Sequence, residues 1–254
     1  MTASSFSPRV RRRPLLFLPA ALGFGTMTRS SHRANARQTS PGPTLLVRGD
    51  IELSTDRRLA WRVVREVAEL PPDAAFEGRS TGFAMASSNF TSMLVTDEAT
   101  GSAYRLAFDE AAFVRDGTVQ RAESLDERPV QYLRIKLAEA TAPENASGFS
   151  LVFSGPAFAV PAGAITLALQ RAGLMAGDTV ELPPGIGETL VLVEAGEVEL
   201  EIGEGAPRER LETVVGSGTY YVARSVGAAA TLYAARDGAR VLVATIQEAS
   251  EATA

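Results

Sequence analysis

The chain contains no cysteine, one histidine and one lysine, and these shortages restrict the chemistry it can perform. Without cysteine it forms no disulfide and offers no thiolate as a nucleophile or metal ligand. The histidine, His32, precedes the first periodic apolar segment, where no folded site can recruit it. A serine nucleophile activated by histidine is therefore not expected, and no Gly-x-Ser-x-Gly motif precedes a helical pattern.

Charge is distributed unevenly along the chain. Every charged residue before Asp50 is an arginine, although the 254 residues together contain 30 acidic and 25 basic residues. The body of the protein is therefore strongly acidic, and we expect no binding to nucleic acid. Lys136, the single lysine, lies in an alternating segment and is predicted to be an outward-facing strand residue.

Residues 1–43 predict an export signal followed by a flexible tether. Four arginines, at positions 9, 11, 12 and 13, precede an apolar segment, 14–25, that is too short to be a stable membrane anchor. Residues 30–43 are rich in Ser, Arg, Thr and Pro without apolar periodicity. We expect a bacterial protein that is secreted or associated with the cell surface, with no stable membrane span after signal removal. The alternative is a misplaced start codon, with Met27 as the true start and a cytoplasmic location.

From residue 44 onward, short apolar segments alternate with Gly, Pro, Asp and Ser, which is typical of an all-β sandwich or barrel. In the first half these segments are 45–47, 61–70, 82–86, 90–95, 104–108 and 130–137. We divide the chain into the leader and tether 1–43, an N-terminal barrel 44–140, a linker 141–150, a C-terminal barrel 151–246 and a polar tail 247–254.

The two halves resemble each other in sequence. The segment 67–72 (VAELPP) matches 180–184 (VELPP), 113–115 (FVR) matches 221–224 (YVAR), and 130–135 matches 240–246. The matches keep the same order and a similar offset, which indicates a duplication and predicts two tandem domains.

Residues 187–202 (GETLVLVEAGEVELEI) contain the clearest strand pattern. An apolar strand leads to a predicted tight turn at Ala195 and Gly196, and alternation follows. One face carries Val198, Leu200 and Ile202, and the other carries Glu197, Glu199 and Glu201.

Residues 177–246 resemble the conserved barrel of the cupin superfamily. The first motif of that family holds a His-x-His pair and a glutamate between two glycines. When Gly196 is placed on the second glycine, Thr189 takes the glutamate position, and Pro183 and Gly185 lie near the histidine positions. The resemblance implies two tandem double-stranded β-helix barrels, that is, an all-β bicupin of jelly-roll type.

The second cupin motif has also lost its metal ligand. The family places a third histidine after a Pro-x-Gly turn, but here Ala223 takes the place of the proline and the histidine position falls near Ala228. Cupin enzymes typically hold a metal through imidazoles and one carboxylate. The resemblance therefore implies a degenerate bicupin without a metal or other cofactor.

These observations predict a non-catalytic, metal-free protein that acts as a small-ligand-binding or structural module. A small barrel is either filled by side chains or holds one small molecule. The residues expected near the mouth of the second barrel, as ligand-binding residues, are Leu190, Leu192, Tyr220, Tyr221, Arg224 and Tyr233. Of these, Arg224 is suited to pairing with a carboxylate ligand.

Two other classes of function stay open. One is an atypical cupin enzyme: either a carboxylate-liganded metal oxygenase or isomerase, for which Glu181, Glu188 and Glu194 lie near the first motif, or a metal-free sugar isomerase. The latter would need a buried acid-base pair such as Tyr with Glu or Asp. The other is a partner-binding scaffold with a filled barrel.

Trp61, the only tryptophan, is predicted to pack in the core or between barrels. The protein is expected to be a monomer or homodimer.

Overall fold

The computed structural model describes part of the chain within one compact unit, Gln38–Ala254. The described residues are 42–68, 75–78, 81–86, 92–98, 100–107, 110–116, 118–125, 127–140, 150–182, 185–213, 215–216, 218–219 and 222–249. The predicted export signal, Tyr220, Tyr221 and most of the predicted linker lie outside these residues.

The described residues form strands and no helix, so the prediction of an all-β fold is confirmed. The strands are β1 Thr44–Leu53, β2 Arg57–Ala68, β3 Ala75–Gly78, β4 Thr81–Ala86, β5 Met93–Asp97, β6 Ala103–Leu106, β7 Ala111–Val114, β8 Thr118–Ser124, β9 Val130–Glu139, β10 Ser150–Ser154, β11 Phe158–Val160, β12 Gly163–Leu174, β13 Thr179–Leu182, β14 Thr189–Ile202, β15 Glu209–Glu212, β16 Val215–Gly216, β17 Gly218–Thr219, β18 Val222–Val226 and β19 Ala230–Glu248. Within the described part of the chain, no helix is long and apolar enough to cross a membrane.

These strands assemble into antiparallel sheets, as they do in jelly-roll folds. A seven-stranded sheet has the order β1-β12-β19-β14-β15, with β13 paired to β19 and β18 paired to β14. A six-stranded sheet has the order β10-β2-β9-β4-β7, with β11 paired to β2. A four-stranded sheet, β3-β8-β5-β6, and a β16-β17 ribbon complete the described pairings.

The two halves of the chain exchange strands. β1 comes from the first half, yet it pairs with β12 in the seven-stranded sheet. β10 and β11 follow the predicted linker, yet both pair with β2 in the six-stranded sheet. Each large sheet is therefore completed by strands that are distant in sequence.

An apolar layer joins the seven-stranded and six-stranded sheets, and we call it the intersheet core. It contains Trp61, Val63, Phe83, Leu133, Ile135, Leu167, Leu190, Leu192 and Leu242, among others. The Trp61 side chain is fully buried, and its indole Nε1 donates a hydrogen bond of 2.5 Å to the backbone oxygen of Glu188. The prediction that Trp61 is a packing residue is confirmed.

Each large sheet also buries its opposite face, because successive side chains of a strand point to opposite sides. We call the cluster on the seven-stranded sheet the C-terminal core; its members include Val191, Val193, Val198, Leu200, Leu232, Val241 and Val243. The N-terminal core draws on the six-stranded and four-stranded sheets and consists of Ala68, Ala84, Met93, Val95, Leu106, Ala112, Val114, Ala122, Val130 and Tyr132.

The predicted turn at Ala195 and Gly196 is wrong, because β14 continues through both residues. Its register against β19 shifts on either side of them, so the sequence forms a β-bulge there. Gly196 has φ of +79°, and a Cβ at this position would overlap the backbone oxygen of Gly238. Glycine is therefore required here by both the backbone conformation and the close approach of β19.

The predicted alternation after the bulge is confirmed. Val198 and Leu200 are buried in the C-terminal core, whereas the three glutamates that alternate with them form ion pairs on the opposite face. Glu197 pairs with Arg210, and both Glu199 and Glu201 pair with Arg208.

Candidate functional site

A group of polar side chains lies on the enclosed face of β2 and β9, and we call it the inner polar cluster. Its members are Arg62, Glu66, Tyr132, Arg134 and Lys136. The antiparallel register pairs Arg62 with Lys136 and Glu66 with Tyr132, and places Arg134 between these two pairs. Residues paired across strands project to the same side, and Tyr132 belongs to the N-terminal core. The cluster therefore faces the four-stranded sheet.

The carboxylate of Glu66 is the centre of the cluster. The Tyr132 hydroxyl donates a hydrogen bond of 2.6 Å to Glu66 Oε2. The Lys136 ammonium lies 3.0 Å from Glu66 Oε1, and a guanidinium nitrogen of Arg134 lies 4.0 Å from Oε2. Arg62 is anchored beside them, because its guanidinium donates a hydrogen bond of 3.2 Å to the Ala140 carbonyl.

Burial differs across the cluster in a way that defines its open side. The Arg134 side chain is 2% exposed, whereas those of Glu66 and Lys136 are 15% and 19% exposed. Burying a charged group costs free energy unless polar partners surround it, so the enclosed Arg134 depends on the polar groups around it. Solvent reaches the cluster at Glu66 and Lys136.

Tyr132 is held in its neutral form. Burial is the main cause that raises the pKa of Tyr132 well above its ordinary value, and the charge of Glu66 raises it further. The charge of Arg134 lowers the pKa of Tyr132, but the pKa remains raised. At neutral pH the phenol therefore keeps its proton and donates it in the hydrogen bond to Glu66.

Small residues lie beside these long side chains. On β4, the neighbouring strand, Gly82 pairs with Lys136, Ala84 with Arg134, and Ala86 with Tyr132. A Cβ on Gly82 would overlap the backbone oxygen of Ile135, so this position accepts only glycine. Ala84 and Ala86 are buried as well, so the part of β4 beside the cluster is small and closely packed.

A divalent metal ion, the cofactor of cupin enzymes, does not fit the inner polar cluster. Such an ion needs neutral imidazoles or several carboxylates, whereas Arg62, Arg134 and Lys136 present positive charge. The carboxylate of Glu66 is also already bonded to Tyr132 and Lys136. In the part of the chain that the structure describes, no group of three or more His, Cys, Asp or Glu side chains is arranged to hold a metal ion.

Glu181, Glu188 and Glu194, the carboxylates near the first motif, each have different surroundings. Glu194 is buried and accepts two hydrogen bonds from Arg171, of 2.7 and 3.0 Å, with Arg240 3.2 Å away. The carboxylate of Glu188 accepts a hydrogen bond from the Ser225 hydroxyl. Glu181 is exposed on β13.

Of the ligand-binding residues expected in the second half, the structure describes four, and these four do not line one site. Leu190 and Leu192 are buried in the intersheet core and face away from the C-terminal core. Arg224 is exposed on β18, and its Nε lies 3.0 Å from Glu209 on β15. Tyr233 pairs with Glu199, and the Arg208 guanidinium lies 3.6 Å above its ring. Tyr220 and Tyr221 lie outside the described residues.

The sequence did not predict the inner polar cluster, because polar and apolar residues alternate along β9. Tyr132, Arg134 and Lys136 alternate with Leu133 and Ile135, a pattern that predicts a solvent-facing polar side. The prediction that Lys136 points outward is wrong: it is a half-buried residue on the enclosed face, ion-paired to Glu66. The one sequence signal was a tyrosine and two cations at alternate positions.

Comparison with known proteins adds similarity of structure only. No protein-family model and no curated protein matches this chain. Solved structures similar to it include AerE from Microcystis aeruginosa, with 12% identity, TM-score 0.47, and coverage of 81% of this chain and 99% of that one. A cupin 2 conserved barrel domain protein from Leptotrichia buccalis has 10% identity, TM-score 0.41, and coverage of 82% and 92%. Quercetin 2,3-dioxygenase from Acinetobacter baumannii has 12% identity, TM-score 0.43, and coverage of 82% and 88%. Similarity at this level of identity and TM-score does not indicate the function of this chain.

Proposed function

We propose that the protein is a non-catalytic, metal-free binding module of cupin type that holds a small molecule at the inner polar cluster. In this proposal the N-terminal core and the C-terminal core are the interiors of two jelly-roll barrels. The first barrel carries the ligand, and the second is filled by its own side chains.

The enclosure of the inner polar cluster is the observation that supports this proposal. Small-molecule sites combine a mostly apolar lining with a few convergent polar groups. The N-terminal core supplies apolar residues such as Met93 and Val95, and the cluster supplies the polar groups. The C-terminal core is lined instead by valine, leucine and alanine side chains, which suit packing.

The chemistry of the cluster favours binding over catalysis. A guanidinium group donates hydrogen bonds and has no acceptor, so Arg62 and Arg134 are suited to holding a ligand rather than to acting as a base. Tyr132, whose pKa is raised, does not act as a base near neutral pH. Glu66 is engaged by two donors, and the remaining groups position and neutralise negative charge.

Metal analysis tests the first part of the proposal. The purified protein, without a histidine tag, is offered Fe, Mn, Ni, Zn and Ca, and the bound metal is measured by mass spectrometry after gel filtration. We expect less than a stoichiometric amount of any metal. A stoichiometric metal that disappears in Glu66→Gln would overturn the metal-free proposal.

Ligand screening tests the second part. A small-molecule ligand that binds only the folded protein raises its melting temperature, and the increase grows with the logarithm of ligand concentration above the Kd. We expect the stabilising compounds to lose their effect in variants of the inner polar cluster and to keep it in Arg224→Met. Compounds that respond to Arg224→Met alone would move the site to the second half.

The contact between Tyr132 and Glu66 supports a second candidate, a metal-free isomerase. A buried acid-base pair of this kind is what such an enzyme needs. Incubating aldoses and ketoses with the protein in deuterium oxide would then incorporate deuterium, as measured by NMR, and Glu66→Gln would abolish the incorporation. No incorporation with wild-type protein would exclude this candidate for the sugars tested.

A further inference from the structure

We propose that β1 is a dimerisation edge, along which two copies of this chain pair antiparallel through the exposed side of the strand. The seven-stranded sheets of the two copies then join into one continuous sheet across a two-fold axis. This inference concerns an interaction surface and does not depend on ligand binding at the inner polar cluster.

β1 differs in length from the other end strands of the described sheets. It has ten residues and, among the described residues, pairs with β12 alone. The other described strands that pair on one side only have five residues or fewer. An unpaired edge presents a row of backbone N–H and C=O groups, and short edge strands are one means by which proteins avoid pairing through it. β1 therefore offers the longest such row in the described part of the chain.

The part of β1 that can pair is regular and exposed. A bulge lies near its beginning, and its register against β12 is continuous from Val47 to Leu53. On one face Arg48 and Asp50 are exposed, and on the other Val47 and Ile51 are only partly buried against the intersheet core. Both faces of β1 therefore retain surface that a second strand can cover.

Charge favours one antiparallel register between two copies of β1. When the two-fold axis passes through Gly49, Arg48 of each copy lies opposite Asp50 of the other, which gives two attractive pairs. Val47 of each copy then lies opposite Ile51 of the other on the intersheet side. An axis through Arg48 or through Asp50 would instead place two like charges opposite each other. The sequence of β1 is therefore complementary to itself in the register centred on Gly49.

Contacts within the chain hold β1 in position for this pairing. The aromatic ring of Phe113, on β7, occupies the space that a Cβ on Gly49 would fill. The Thr166 hydroxyl donates a hydrogen bond of 2.6 Å to Asp50 Oδ1. The backbone at the axis and one of the pairing carboxylates are thus already ordered, which lowers the entropic cost of association.

Sedimentation velocity of the purified full chain, over about a hundredfold range of protein concentration, tests the association. We expect an equilibrium between monomer and dimer. Arg48→Asp sets like charges opposite each other in both symmetric pairs and should weaken the dimer about tenfold or more, and Asp50→Arg should do the same. The double variant with both changes restores opposite charges and should recover most of the wild-type affinity.

A matched control lies at the other end of the same sheet. Arg210 is exposed on β15, the end strand opposite β1. Arg210→Asp makes the same change of charge as Arg48→Asp and should leave the affinity of the dimer within about twofold of wild type. Near-UV circular dichroism should show that each variant is folded.

Cross-linking locates the contact independently. Because the chain contains no cysteine, Arg48→Cys and Asp50→Cys each introduce a single thiol. When the two variants are mixed and oxidised, the disulfide between them should form in larger amount than in either variant alone, since positions 48 and 50 lie opposite each other in the proposed register.

The measurements separate this interface from other kinds of association. A monomer at every concentration overturns the proposal. A dimer with unchanged affinity in a folded Arg48→Asp overturns it too, because the contact then lies elsewhere. Equal weakening by Arg48→Asp and Arg210→Asp would show that net charge, rather than pairing along β1, controls the association, and would also overturn it. Recovery in the double variant together with the mixed cross-link supports it.

Discussion

The hydrogen bond between Tyr132 and Glu66 joins a buried phenol to a half-buried carboxylate. The Tyr132 hydroxyl donates a hydrogen bond to the Glu66 carboxylate, which also contacts Lys136, and the Tyr132 ring lies among apolar residues of the N-terminal core. A hydrogen bond to a charged group contributes about 1.5–3 kcal/mol, and an unsatisfied buried group costs a similar amount. The contact therefore contributes to folding as well as to the candidate site.

Replacing Tyr132 should change stability in a manner that depends on pH. Because the folded-state pKa of Tyr132 is raised, its contribution is fully present below the ordinary tyrosine pKa and is lost as pH rises through the folded value. We expect Tyr132→Phe to cost about 1–2 kcal/mol at pH 7. Above about pH 10, wild-type protein should lose stability more steeply than the variant. Urea denaturation between pH 7 and 11 measures both effects, and parallel curves would contradict the assignment.

At the scale of the strand, β14 shows that one sequence pattern permits two local structures. Alternation from Val198 to Ile202 correctly predicts which residues face the C-terminal core. The pair Ala195 and Gly196 is compatible with a tight turn or with a bulge, because both allow glycine at positive φ. Pairing with β19, which continues on both sides of Gly196, selects the bulge.

The bulge glycine should be far less replaceable than a glycine in an open turn. Gly196 and Gly203 have similar φ, of +79° and +80°, but only Gly196 has backbone atoms in the position of a Cβ. Gly203→Ala should cost about 1 kcal/mol, from backbone conformation alone. Gly196→Ala should cost about 2–4 kcal/mol, because β19 must also move. Chemical denaturation of both variants tests this, and equal losses would mean that the close approach to Gly238 carries no cost.

At the scale of the whole molecule, exchanged strands make the halves dependent on each other. β1 completes the seven-stranded sheet, and β10 and β11 cover the edge of β2. The intersheet core then buries residues of both halves, including Trp61 and Leu192. A half on its own would expose this apolar layer and an unpaired strand edge.

Separated halves should therefore fold only together. A fragment of residues 42–140 lacks β10 and β11, and a fragment of residues 150–249 lacks β1. We expect each alone to show no cooperative unfolding by circular dichroism, and a co-expressed pair to form a stable complex that unfolds cooperatively. Cooperative unfolding of residues 42–140 alone would show that the first half is an independent domain.

The sequence by itself determined the all-β class, most strand positions and the outward glutamates of β14, because a period of two is a local property of the chain. It also indicated that Trp61 packs in a core. Only the tertiary structure decided which alternating faces are enclosed, because a strand's period does not reveal which sheet lies against it. That is why Lys136 and Arg134 face inward, why Leu190 and Leu192 lie in the intersheet core, and why β1 pairs with β12: each depends on contacts between residues far apart in sequence.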